Sequence, residues 1–140
     1  MTVNEVIIDF KVYKEMEAAA KDAYPSESCA VLLGAGNVIG DFKVIKNRVS
    51  GLVSKHFYRI NPLDLYEIEK EIDDETQKIV GIFHTHTYCE SILSDEDKIH
   101  MIPGMIYVIL SLTDTSLNRI RAYKKETENE RIMEYGVKIL

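Results

Sequence analysis

Short apolar runs alternate along the chain with segments of helical period. Val6 to Ile8 predicts a strand, and Asp9 is placed to cap a helix with Phe10, Tyr13, Met16, Ala20 and Ala23 on one face. Pro25 ends that helix. Ser28 to Leu33 is a compact apolar run closed by Gly34-Ala35-Gly36-Asn37, and Val38 to Lys46 continues it as the second arm of a hairpin. Asn47 to Lys55 reads as a loop and Phe57 to Ile60 as a short strand. Asn61-Pro62 opens a helix, with Asp64 in its first turn and Leu65, Ile68 and Ile72 on its apolar face. Ile79 to Phe83 is an apolar strand with His84 at its end, followed by a loop over residues 85–93. Ser94-Asp95-Glu96-Asp97 opens a further helix that Pro103-Gly104 stops. Met105 to Ser111 predicts a central strand, Asn118 to Lys124 another, and the alternation Met133, Tyr135, Val137, Ile139 a last one. Strands mixed with a few helices predict an α/β layered domain.

At 140 residues the chain suits one domain, residues 1–140, with a core that needs no staples. Apolar residues make up 46% and charged residues 29%, the balance of a soluble globular protein. Seventeen basic against 23 acidic residues leave a net charge of −6, which argues against nucleic acid or an anionic membrane as the main partner. No apolar run approaches a membrane span, and no signal peptide opens the chain, so the expected compartment is the cytoplasm. The two cysteines, Cys29 and Cys89, are too sparse for a disulfide framework.

The candidate chemistry lies in His84-Thr85-His86 and, downstream, Ser94 and Asp97. In extended backbone, residues two apart point to the same side, so two imidazoles can reach one ion. Two imidazoles and a carboxylate are ligand types of Zn²⁺, and three protein ligands leave a fourth position for water. Each residue also has an ordinary reading. The histidines can be plain core or surface side chains, and Ser94-x-x-Asp97 has the form of a capping box. For Asp97 the capping and ligand readings are compatible, because a capped first turn fixes the carboxylate as a ligand requires. His100, one turn on, is an alternative ligand or an ordinary helix residue. Glu27, in Pro25-Ser26-Glu27-Ser28-Cys29, reads locally as a solvated loop residue.

Taken together these residues resemble the JAMM/MPN+ family of zinc metallopeptidases. Its pattern sets a Glu in Pro-x-Glu-x-Cys-Gly-x-Leu ahead of His-[Ser/Thr]-His-Pro, then, seven residues later, a Ser and, after two intervening residues, an Asp. Pro25, Glu27, Cys29 and Leu32 match the first element, His84, Thr85 and His86 the second, and Ser94 and Asp97 the last. Ile60-Asn61-Pro62 and Val80-Gly81-Ile82-Phe83 resemble intervening family segments, so the similarity runs over roughly residues 5 to 125. Thr87 and Leu93 stand where the pattern has prolines and Ala30 where it has glycine, which loosens the loop without removing a ligand.

The resemblance implies a JAMM/MPN, cytidine-deaminase-like fold, a mixed β-sheet flanked by helices. It implies one Zn²⁺ per chain on His84, His86 and Asp97, with Glu27 as general base and acid and Ser94 donating to the oxyanion. It further implies hydrolysis of the bond after the Gly-Gly tail of a ubiquitin-like or sulfur-carrier protein, since the small size leaves little room for docking insertions. Glycine tails suit a narrow groove because they carry no side chain. Relatives that lack the ligands serve as noncatalytic scaffold subunits, the alternative class here. Zinc nucleobase deaminases use Pro-Cys-x-x-Cys, which this chain lacks. If the site forms, Cys29 and Cys89 become neighbours, and either a disulfide pinning the loop or two free thiols follows. His56 falls outside the pattern and reads as structural or solvated. Exposed edge strands leave a homodimer open.

Overall fold

The computed structural model describes residues 4–45, 62–72, 76–87, 90–113 and 119–140. The expected Phe57–Ile60 strand, the Asn47–Lys55 loop, the Asn61 cap, His56, Cys89 and Asn118 lie outside the described residues.

Strand β1 (Glu5–Ile8) leads into helix α1 (Phe10–Ala23). The Asp9 carboxylate caps that helix, accepting from the backbone N–H groups of Lys11 at 2.9 Å and Val12 at 3.3 Å. Strands β2 (Cys29–Ala35) and β3 (Val38–Ile45) form the expected hairpin. Gly36, at φ +59°, supplies the left-handed backbone that the tight turn needs. Helix α2 (Pro62–Glu71) buries Ile68 and half-buries Leu65 and Ile72, as its periodicity predicts. Strand β4 (Lys78–His86), helix α3 (Asp95–Ile99) and strands β5 (Ile106–Ser111), β6 (Ile120–Lys124) and β7 (Met133–Ile139) complete the order.

The strands run β1-β3-β2-β4-β5-β6-β7 and close, because β1 pairs in parallel with both β3 and β7. The β4–β5 pair is also parallel and the remaining pairs are antiparallel, so the sheet is mixed as expected. Closure gives every strand a neighbour on each side along part of its length. Beyond Ile39, β3 pairs with β2 alone among the described residues.

Two apolar clusters occupy the two faces of the sheet. Strand β2 feeds both by alternation: Ala30 and Leu32 enter the first, Cys29, Val31 and Leu33 the second. Strand β4 divides likewise, with Phe83 in the first and Ile82 in the second. A fully buried Phe83 cut to Ala would cost about 3–5 kcal/mol. Where β4 meets β5, a β-carbon on Gly81 would overlap the Ile106 carbonyl, so only glycine permits that approach.

Three expectations need correction. The buried face of α1 is Val12, Met16, Glu17 and Ala20, while Phe10 is 58% exposed. The stripe is turned because Arg119 pairs with Glu17 and donates to the Tyr13 hydroxyl at 2.7 Å, making a buried carboxylate tolerable there. Strand β4 does not stop at Phe83. It keeps pairing with β5 through Thr85↔Leu110 and His86↔Ser111, so the loop begins after His86. Helix α3 ends at Ile99, with His100 as its C-cap, well before Pro103. The chain turns out early there, and Met101 enters the second cluster.

Candidate metal centre

The second face of β4 carries the candidate ligands. Ile82, His84 and His86 alternate onto it, with Ile109 of β5 and Cys29 of β2 beside His84. His84 is fully buried and His86 nearly so, their ring centroids 5.1 Å apart and tilted by 58°. Asp97 comes from the first turn of α3. Its Oδ1 lies 3.4 Å from His84 Nε2 and its Oδ2 3.2 Å from His86 Nε2. Ser94 holds that turn as a capping box. Its Oγ accepts from the Asp97 N–H at 3.1 Å and its own N–H donates to Asp97 Oδ2 at 2.9 Å. A hydroxyl that accepts still has its hydrogen to donate, so capping leaves Ser94 a donor.

Glu27 is not a solvated loop residue. It is buried just ahead of β2, with Oε1 3.7 Å from His84 Nδ1, on the ring edge opposite Asp97. Its segment is tied to β4 by Thr85, whose Oγ1 accepts from the Ser28 N–H at 2.8 Å and whose N–H donates to the Ser28 carbonyl at 3.0 Å. The fold thus brings Glu27, His84, His86 and Asp97 together across a long stretch of sequence. His100 caps the far end of α3 and is not among the three converging ligands.

The charges are set by close contacts. Burial alone would raise the Asp97 pKa, but the hydrogen bond from His86, the nearby His84 and the Ser94 N–H hold it at about 2. Burial alone would lower the His86 pKa. The Asp97 hydrogen bond, the Glu90 carbonyl and the carboxylates of Asp97 and Glu27 outweigh it, and the net shift is upward. Cys29 is a buried thiol that donates to the Ile45 carbonyl at 3.6 Å. Burial, then Glu27 and Asp64, push its pKa up to about 12, so it is no nucleophile.

The donor set fits a divalent ion of zinc type. One ligand atom from each of His84, His86 and Asp97 falls within 4.8 Å of the others. With metal–ligand bonds of about 2.0–2.1 Å, a tetrahedron has edges of roughly 3.3–3.4 Å. Asp97 approaches the two imidazoles through different oxygens, at 3.4 and 3.2 Å, close to such an edge in each case. Two imidazoles with one carboxylate also suit zinc better than the all-oxygen shells of calcium or magnesium.

Two features near the site had no signal in the local sequence. The His86 Nδ1 lies 2.7 Å from the Glu90 carbonyl, which turns its Nε2 edge toward Asp97. The Tyr123 hydroxyl donates to the Ser91 carbonyl at 2.9 Å. Both depend on where a loop backbone passes, which residue types do not encode.

The chain is similar to known proteins over most of its length. The family of prokaryotic homologues of the JAB domain matches residues 10–124, and the chain belongs to that family. It is 27% identical over 124 residues to a CysO-cysteine peptidase of Mycobacterium tuberculosis, covering 88% of this chain and 84% of that one. It is 31% identical over 71 residues to a desampylase of Pyrococcus furiosus, covering 51% and 49%. The solved structure of a JAB1/MPN domain protein from Archaeoglobus fulgidus shares the fold, with a TM-score of 0.64 at 20% identity over 96% of this chain and 99% of that one. Family and relatives make this protein a JAMM-type hydrolase. Among the described residues no helix is long and apolar enough to cross a membrane.

Proposed function

We propose that the protein is a zinc-dependent peptidase or isopeptidase that cuts after the Gly-Gly tail of a ubiquitin-like or sulfur-carrier protein in the cytoplasm, working as a single domain. The observation that carries this reading is the convergence of His84, His86 and Asp97, with buried Glu27 against the same imidazole pair. His84, His86 and Asp97 would hold the ion. When bound, zinc supplies a water acidified to a pKa of about 7 and a Lewis acid for the scissile carbonyl. Glu27 takes the proton of the attacking water and returns it to the leaving amine. Ser94 donates its hydroxyl hydrogen to the developing oxyanion while the cap keeps it in place. Asp97, anionic at neutral pH, needs no deprotonation to act as ligand, whereas the upward shift at His86 makes a proton a stronger competitor of the metal there. The substrate class follows the family resemblance and accords with relatives named for CysO-cysteine peptidase and desampylase activity.

The test is cleavage of a Gly-Gly-tailed fusion protein by zinc-loaded wild type and by Glu27→Gln. Loss of turnover with zinc retained supports Glu27 as the base. Loss of zinc as well would instead make Glu27 a support for His84. Zinc-free protein without any cleavage would favour the scaffold alternative.

A further inference from the structure

We propose that Tyr123 is a positioning residue of the metal centre: its hydroxyl fastens the loop between the second histidine and Asp97, and so sets the orientation of His86. The inference rests on the metal-site reading above.

Residues 90–93 belong to no helix or strand, yet the centre depends on them at both ends. Glu90 offers its carbonyl to His86 Nδ1 at 2.7 Å, and Ser94 opens the turn that holds Asp97. Between them Ser91 is fully buried, and its carbonyl accepts from Tyr123, 32 residues away, at 2.9 Å. Tyr123 projects from β6 into the second apolar cluster, where Leu93 also packs. A strand thus grips the loop by one polar contact within a shared apolar cluster, adjacent to the carbonyl that orients His86. Burial first, then the charge of Glu134, raises the pKa of Tyr123, so its hydroxyl keeps its hydrogen at neutral pH.

This grip explains how the loop holds its path with Thr87 and Leu93 where prolines would have stiffened it. Leu93 is buried, so the position gained packing in place of backbone rigidity. A free loop would let the Glu90 carbonyl drift, and His86 would lose the hydrogen bond that selects its tautomer. Groups that orient a metal-binding imidazole typically matter by 10- to 100-fold in metal affinity.

The test is Tyr123→Phe against wild type, with Tyr135→Phe as control. Tyr135 is also buried, and its hydroxyl bonds to Glu126 at 3.1 Å, but it packs in the first cluster. Zinc affinity is read by chelator competition on folded protein. Tyr123→Phe should bind zinc at least about tenfold more weakly and, at saturating zinc, lower kcat more than it raises KM. Tyr135→Phe should keep wild-type affinity. Equal affinity in Tyr123→Phe and wild type overturns the proposal. Wild type that binds no zinc overturns the underlying site reading instead. If Tyr123→Phe does not fold, backbone order parameters of Glu90–Leu93 in metal-free wild type decide. Values near those of the strands, about 0.85, uphold a loop gripped before metal arrives, and values below about 0.6 overturn it.

Discussion

Two clusters of ionisable side chains are centred on buried carboxylates in this molecule, Glu17 and Glu27, and they are built differently. Against α1, Glu17 meets Arg119, with Lys14 at 3.3 Å and the Tyr13 hydroxyl completing the set. Anion and cation are both supplied by the chain, so the group is closed. At the end of β4, two carboxyl groups face two imidazoles, which carry charge only when protonated. Two carboxyl groups gathered around two imidazoles that are neutral unless protonated suit a cation. A carboxylate paired with its own guanidinium reads as structural, and carboxylates converging on imidazoles read as a candidate site.

Substitutions should separate the two. Asp97→Ala should lower zinc affinity by about 100-fold or more and bring cleavage to background, with the far-ultraviolet circular dichroism unchanged. Full zinc binding by this variant would break the contrast outright. Glu27→Gln should lower kcat by about 10²- to 10⁴-fold with zinc content retained. Glu17→Ala should do the reverse, destabilising the fold by about 1–3 kcal/mol because Arg119 loses its partner while remaining partly solvated. Its zinc affinity should match wild type, and a comparable loss of zinc would erase the distinction between the clusters.

The smallest effect is one of pH on the metal-free protein. The His86 pKa is raised above 6.5 in the fold, so its contribution to stability is fully present below 6.5 and is lost as pH rises through the folded value. The Asp97 pKa is lowered to about 2, so its contribution is present above 3.8 and is lost as pH falls toward 2. Chelator-treated protein should therefore weaken above pH 6.5 in urea denaturation. Zinc-loaded protein should not, since metal replaces the proton on His86. Matching profiles for the two forms would remove His86 from the ligand set.

Much of the fold was legible because its elements have local causes. Asp9 caps α1, Gly36 makes the hairpin turn, and Pro62 opens α2, all chemistry within a few residues. The turned face of α1 was not legible, because Arg119 decides it from far along the chain. Closure of the sheet was hidden for the same reason: β1 is four residues long, and nothing in it names β3 and β7 as partners. In the site, His84 and His86 could be paired from strand period alone and the Asp97 turn from its cap. Bringing Glu27 beside them took the family resemblance, since the segments meet through long-range pairing, Cys29 with His84 and Ser28 with Thr85. The Glu90 and Ser91 carbonyls carry no side-chain signature at all.

The central claim is that His84, His86 and Asp97 form one zinc site. It is tested most directly by isothermal titration of chelator-stripped protein with zinc near pH 7, wild type beside Asp97→Ala. The account predicts one tight site per chain in wild type, with proton release on binding, and its loss in the variant. No uptake by wild type, or uptake indifferent to Asp97, would contradict it.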